Sequence, residues 1–362
     1  MVWMIILLCA AVLAYRYLKG ADLREFDRPT GAWFDTTAEE AEAIRTVEVR
    51  LRAMLGESEA ASGWRDRLAA SREMAEKISD GLVFSGRVET VDINGIAAEW
   101  VVAQGADTAR RALVIHGGAF ALGSPKGHRK LSANISSRAS AAVLAVDYSL
   151  WPEHHRKQAI ADVRAAWRFM LDNGPDGSSP AQVKLLVGDS AGGNLALATS
   201  AWLRDQQHGA GAAAQADAVI AICPVTDSTL SGPSAIYNAS TDILLGAIGR
   251  LMRRFSHAAF VLIATLLYRM HLASPDNSPV FGSLHGLPPT LVHSSDCDIL
   301  FSDAQRYTNK ARRDGSSVTL QVWHGMQHDW HMFADELQAT QQAWQAIGDF
   351  VELHCPALQR AG

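Results

Sequence analysis

The sequence predicts an α/β fold, a mostly parallel central sheet with helices on both faces plus a helical cap. Three observations predict it. From residue 110 onward, short apolar runs alternate with helical segments, the pattern of parallel βαβ units. One of those runs, "KLLVGDSAGGNLALA" (184–198), passes from strand-like to helix-like through a Gly-x-Ser-x-Gly turn. Residues 230–272 then break the alternation with a very apolar helical stretch, placed where this plan puts loops over the functional face.

The elements follow in order. Residues 1–20 open with "MVWMIILLCAAVLAY", uncharged until Arg16. A spanning helix needs ~20 apolar residues, so this stretch suits a membrane anchor only if Arg16 and Lys19 snorkel to the interface. Positive charge follows it rather than precedes it, which would keep the body of the protein on the cytoplasmic side. The alternative is a helix packed on the protein's own cap. Residues 21–37 read as an irregular linker. "TTAEEAEAIRTVEVRLRAML" and "SGWRDRLAASREMAEKIS" read as two amphipathic helices, with Thr37 and Glu40 spaced as a capping box. Residues 21–82 thus form an N-terminal helical cap segment.

A catalytic α/β domain is expected over 83–229 and 273–362. It starts with a hairpin at Asn94-Gly95. Strand-like "RALVIHGG", "AAVLAVDYS", "VKLLVGDS" and "DAVIAICPV" then alternate with helices. After the cap at 230–272, "PTLVHSS", a helix, "SVTLQVW" and a last helix from about Ala334 to Leu353 complete the pattern.

Composition narrows the function. The 362 residues are 48% hydrophobic and 20% charged, with a formal net charge of −5. No block of Lys and Arg is present, which argues against a nucleic-acid partner. Cys9, Cys223, Cys297 and Cys355 are far apart and form no CxxC pair. That argues against a zinc site or a disulfide framework and fits a reducing compartment. No metal or cofactor is expected.

A serine at a sharp strand-to-helix turn needs tiny neighbours, and Gly188 and Gly192 bracket Ser190 accordingly. The following helix points its partially positive N-terminus at the hydroxyl. A second segment, His116-Gly117-Gly118, also ends a strand. Acyl transfer needs backbone N–H groups facing the oxyanion, and Gly117, Gly118 and Ala191 are the expected donors.

"HGGAF" and "GDSAGG" resemble the hormone-sensitive-lipase-like branch of the α/β-hydrolases, the bacterial carboxylesterases called family IV. "VDYSLWPEH" (146–154) resembles that family's Asp-Tyr-x-Leu-x-Pro-Glu segment, and "SPDNSPVFGSLHGLPPTLVHSSDCDIL" its stretch before the catalytic acid. The likeness spans residues 83–354. It departs at "HHRKQA", after Pro152-Glu153, where the family usually has more apolar residues and proline. The resemblance implies a serine esterase acting on a small-molecule ester, and homodimers, which members of the family often form.

A base and an acid must follow the serine in chain order. His324, His328 and His331 all lie after the last strand. His328 sits mid-loop, free to reach back over the sheet, and the family's Gly-Met-x-His pattern falls on it. Asp296, Asp298 and Asp303 follow the strand "PTLVHSS". Asp303 suits a helix start, and the family's Asp-x-Leu position falls on Asp298. Supporting roles are expected for His116, which would tie down its own loop, and for Asp147, Tyr148 and Glu153, which would brace the oxyanion loop. Asp189 is expected beside the site rather than in the chemistry, and Cys297 in packing.

The leading expectation is a carboxylesterase for short- to medium-chain esters working through an acyl-enzyme. An amide- or peptide-cleaving hydrolase on the same fold is the alternative, since a triad does not choose between the two. A ligand-binding pseudo-hydrolase is a third, disfavoured because all three triad members are present.

Overall fold

The computed structural model of the protein describes residues 13–206 and 213–356. Its frame is a nine-stranded sheet. The strands are β1 (Ala32–Phe34), β2 (Gly86–Ile93), β3 (Ile96–Ala103), β4 (Asp107–Ile115), β5 (Ala141–Val146), β6 (Val183–Asp189), β7 (Ala218–Ile222), β8 (Thr290–Ser295) and β9 (Val318–Trp323). In space they run β1-β9-β8-β7-β6-β4-β5-β3-β2. Only β2 with β3 and β3 with β5 pair antiparallel; the rest are parallel. The inner strands are apolar on both faces because helices cover both, so Leu113, Val143, Leu186 and Ile220 are fully buried.

Nine helices of two turns or more are described: α1 (Ala38–Glu59), α2 (Trp64–Glu76), α3 (Arg129–Ala139), α4 (Arg156–Asp172), α5 (Ser190–Asp205), α6 (Gly246–Arg254), α7 (His257–Tyr268), α8 (Phe301–Arg313) and α9 (Gln338–His354). The sheet separates two apolar cores. One takes Val163 and Trp167 of α4, Leu195 of α5 and Tyr307 of α8. The other takes Leu131 and Ile135 of α3, Trp344 and Ile347 of α9, and Val47 and Leu51 of α1.

Local signals explain the joints. Asn94 and Gly95 both take positive φ (53° and 91°), the backbone a two-residue hairpin between twisted strands requires. The Thr37 hydroxyl caps α1 by accepting from the Glu40 N–H at 3.2 Å. The Glu40 carboxylate does not close the expected box. It accepts from the Ala339 N–H at 2.7 Å and so caps α9, which begins after Leu337 without a side-chain cap of its own.

Residues 21–37 differ from the irregular linker expected. They contain a 3₁₀ turn at Arg24–Phe26 and the strand β1, which lines up parallel to β9. Pairing with a distant strand creates β1, and no local periodicity encodes that. As a result the last strand, β9, is not the free edge of the sheet.

The cap stretch opens with a short helical turn at Ser234–Tyr237 and a 3₁₀ turn at Asn238–Ser240, and then folds as two helices, α6 and α7, meeting at 117°. Ser256 sits at the break and caps α7, its Oγ accepting from the Ala259 N–H at 3.2 Å. The anchor expected over 1–20 falls largely outside the described residues. From residue 13 the chain is helical and lies against α7: Leu18 packs with Val261 and Ala264, and the Tyr15 hydroxyl meets His257 Nδ1 at 2.9 Å. Among the described residues no single helix is long and apolar enough to cross a membrane.

Arg306 of α8 stitches the N-terminal segment to this frame. It is buried, clamps Asp27 through Nε (2.6 Å) and Nη2 (2.9 Å), and donates to Ser231 Oγ at 2.8 Å. Arg306 also lies 4.0 Å from the fully buried Asp227, so removing it leaves that carboxylate without its counter-charge. Arg306→Ala is therefore expected to cost about 3 kcal/mol in urea unfolding. Arg313→Ala, which removes a half-exposed partner of Glu25, should stay within about 0.5 kcal/mol of the parent protein.

Candidate active site

The site begins with one backbone joint. β6 ends at Asp189, α5 starts at Ser190, and Ser190 is held at φ +50°, a left-handed conformation costly for a residue with a side chain. The joint is too tight for side chains on either side. A Cβ on Gly188 would lie 2.3 Å from the Gly192 carbonyl oxygen, and one on Gly192 would lie 1.9 Å from that of Ile115. The spacing Gly-x-Ser-x-Gly is thus steric before it is chemical. It leaves the serine side chain buried at the C-terminal end of a central strand, under the cap.

His328 reaches that hydroxyl from the loop after β9. Its Nε2 lies 2.9 Å from Ser190 Oγ. Its Nδ1 lies 2.7 Å from Asp298 Oδ2, in the loop after β8. The other oxygen of Asp298 accepts from the Leu300 N–H at 2.7 Å, which fixes the carboxylate. Of the three histidines and three aspartates considered from sequence, only this pair is brought to the serine. His324 and Asp296 form a half-exposed pair of their own at 2.7 Å. His331 is fully buried against His293 (3.0 Å), and the buried Asp303 accepts from the Thr226 and Asp227 N–H groups.

Asp329 was not singled out from sequence, and nothing in its local pattern marks it. It takes φ +52° and places Oδ2 at 3.0 Å from His328 Nε2, on the same side as the serine. Burial opposes a charged imidazole here, but the carboxylates of Asp298 and Asp329 outweigh it and raise the His328 pKa well above its ordinary value. Burial in turn pushes the Asp329 carboxyl up to about 6.

The segment His116-Gly117-Gly118 lies beside the serine. Gly118 takes φ +114°, and a Cβ there would lie 2.0 Å from the Leu122 carbonyl oxygen. One expectation needs correction. The Gly117 N–H donates to both Asp189 carboxylate oxygens, at 3.0 and 3.1 Å, so it is occupied and does not face an oxyanion. A carboxylate adjacent to the nucleophile competes for this donor, which sequence spacing does not reveal.

The supporting residues are held as follows. Asp189 also meets His128 Nε2 at 3.3 Å, a partner that sequence did not suggest. Burial opposes both charges, yet their attraction raises the His128 pKa and lowers that of Asp189. His116 Nδ1 lies 2.8 Å from the Gly117 carbonyl, and burial pushes its pKa down to about 3, which keeps it neutral. The Tyr148 hydroxyl donates to the His116 carbonyl at 2.9 Å. Glu153 acts through Arg72, which it clamps at 2.8 and 2.9 Å; Arg72 in turn donates to the Ala121 and Trp151 carbonyls. Asp147 is exposed rather than turned toward the loop. Burial raises the Cys297 thiol to about 12, consistent with packing.

Among the described residues, Cys223, His328 and Asp329 are the one trio close enough to share a metal ion. Both ring nitrogens of His328 are already hydrogen-bonded, and burial pushes the Cys223 thiol well above its ordinary pKa. The trio therefore lacks the ready thiolate a metal site needs.

Two cavities meet at Ser190. One, of about 450 Å³, runs under α6 and α7 past Phe120, Met252, Phe255 and Leu267. The other, of about 520 Å³, lies between α1, α2 and the His328 loop.

The family model for the alpha/beta hydrolase fold matches residues 112–332. An acetyl-hydrolase of Streptomyces hygroscopicus is 35% identical over 265 residues, covering 73% of this chain and 82% of that protein. An esterase of Acinetobacter venetianus is 32% identical over 264 residues, covering 73% and 81%. Among solved structures, the esterase EstE5 soaked with p-nitrophenyl butyrate superposes with a TM-score of 0.72 at 33% identity, covering 87% of this chain and 99% of that one. An esterase of the bacterial hormone-sensitive lipase family superposes with a TM-score of 0.70 at 29% identity, covering 85% and 98%. The chain belongs to the α/β-hydrolase fold family and is a carboxylesterase of its hormone-sensitive-lipase-like branch.

The electrostatics of His328 can be measured directly. Its imidazole is expected to titrate above the ordinary histidine range in ¹⁵N NMR. Asp329→Asn, which removes one of its two carboxylate neighbours, should lower that titration point.

Proposed function

We propose that Ser190, His328 and Asp298 form the catalytic triad and cleave short- to medium-chain carboxylic esters through an acyl-enzyme. The observation that carries this reading is the unbroken chain from Asp298 Oδ2 through the imidazole to Ser190 Oγ, at 2.7 and 2.9 Å. Ser190 attacks the ester carbonyl while His328 Nε2 takes its proton, and Asp298 holds the Nδ1–H tautomer and stabilises the imidazolium. The N–H groups of Gly118 and Ala191, with the N-terminus of α5, receive the developing oxyanion. His328 then protonates the leaving alcohol, and water attacks the acyl-enzyme by the same steps in reverse.

The two cavities divide the substrate. His328 lines the cavity under α1 and α2, so the leaving alcohol that it protonates lies there. The acyl chain then occupies the apolar cavity under α6 and α7. Its volume suits a chain of a few to several carbons.

The mouth of the acyl cavity is apolar as well. Leu251, Phe255, Ile263 and Leu267 line it and are each about half exposed, and Leu262 and Leu266 extend the same surface of α7. Leu13 and Tyr17, on the helix packed against α7, are exposed too. We infer that this face rests on a lipid surface, because neighbouring exposed apolar side chains mark contact sites on proteins. Co-flotation with phosphatidylglycerol vesicles is the check. Binding should weaken when Leu262 and Leu266, which lie outside the cavity lining, are replaced by Ser, with turnover of a dissolved short ester retained.

Ser190→Ala is expected to lower kcat for p-nitrophenyl butyrate by about 10⁵-fold or more, leaving no more than the ~10³–10⁴ over water that binding and an oxyanion hole supply. The base must be neutral to accept a proton, and its pKa is raised, so kcat/KM should fall as pH drops through that raised value. Retention of near-parental turnover by Ser190→Ala contradicts the assignment.

A further inference from the structure

The acyl cavity holds one charged side chain. Of the residues that line it, Arg156 alone is ionic, and most of the others are aliphatic or aromatic. Arg156 opens α4, where the helix dipole already disfavours a cation. Its position lies within "HHRKQA", the segment where the sequence departs from the apolar and proline-rich pattern of the family.

The guanidinium is held but not neutralised. Nη2 donates to Asn194 Oδ1 and to the Asn277 carbonyl (3.2 Å), and Nη1 makes a long contact to Ser228 Oγ at 3.4 Å. One face stacks on the Phe120 ring, 3.5 Å from its centroid. All of these partners are uncharged. The Nε–H is buried and meets no acceptor. Among the described residues no carboxylate comes within ion-pair distance of Arg156. Asp276, the nearest in influence, is paired with Arg164 at 2.7 Å. A cation enclosed by apolar walls with a free donor is costly unless an anion joins it. Burial already pushes its pKa down to about 9.

We propose that Arg156 is the anion-recognition group of the acyl cavity, and that the enzyme's preferred esters carry a carboxylate at the far end of the acyl chain, as monoesters of dicarboxylic acids do. The inference rests on the triad and cavity assignment above. Asn194, which holds the guanidinium, lies one helical turn beyond Ser190, about 6 Å along the axis of α5. A rise of that order suits a short diacid, with one end at the nucleophile and the other at the guanidinium that lines the cavity. A carboxylate there would add a charge-assisted hydrogen bond that a neutral acyl chain cannot make.

The test compares kcat/KM for the p-nitrophenyl monoesters of glutaric and adipic acid with p-nitrophenyl valerate and hexanoate. The parent enzyme should favour the better charged ester over its neutral partner by about tenfold or more. Arg156→Gln should cut that ratio at least about tenfold, chiefly through KM. The ratio within each variant cancels any general loss from disturbing Phe120 or Asn194. An equal ratio in the parent and Arg156→Gln overturns the proposal, as does a parental preference for the neutral esters, which needs no variant. Failure to cleave either ester would instead overturn the triad reading, so the two failures are distinct.

Discussion

One backbone conformation governs this molecule: Ser190 at φ +50°, pinned between a fully buried strand and the first turn of a helix. The conformation persists only because its surroundings over-determine it. β6 is flanked by β4 and β7 and cannot shift register without exposing apolar side chains. α5 is packed along its length in the core, and the Ser190 carbonyl accepts from the Val225 N–H at 3.2 Å. The glycines at 188 and 192 remove the clashes that would otherwise prise strand and helix apart. The sheet therefore holds one hydroxyl where loops from both later strands can meet it.

Around that hydroxyl the protein buries an unusual density of charge, and each charge is assigned a partner. Asp189 draws on His128 and the Gly117 N–H. His328 stands between Asp298 and Asp329. Asp242, in the cap stretch, accepts from the Ile299 and Leu245 N–H groups, and Asn238 donates to the Asp298 carbonyl at 2.8 Å. The cap is thus bonded to the loop that carries the acid, so cap position and carboxylate position are coupled through short hydrogen bonds. Burying such groups is tolerable only when most of their polar atoms are satisfied; Oδ1 of Asp329 is the exception, buried without a partner. Arg156 stands out against that background because its neighbours are all neutral.

Sequence carried the central architecture well, for reasons tied to particular residues. Strands such as "AAVLAV" are buried on both faces and so read as unbroken apolar runs. Gly188, Ser190 and Gly192 are legible because the steric demand of the turn leaves few residue types. Other features depend on distant contacts and leave no local trace. β1 exists only through β9. Glu40 looked like part of its own helix cap but serves α9. Gly117 matched an oxyanion loop, yet its N–H is claimed by a carboxylate 72 residues away. His128 and Asp329 are ordinary polar residues in sequence, and the fold alone brings them to Asp189 and His328.

The claim on which the account turns is that the hydroxyl of Ser190 is the nucleophile, singled out by its joint and its imidazole. Brief treatment of the intact enzyme with phenylmethylsulfonyl fluoride, followed by peptide mass spectrometry, tests it most directly. The account predicts one sulfonyl group per chain, on the peptide containing Ser190, appearing in step with loss of ester hydrolysis. A label on another residue, or hydrolysis lost with Ser190 unlabelled, would contradict it.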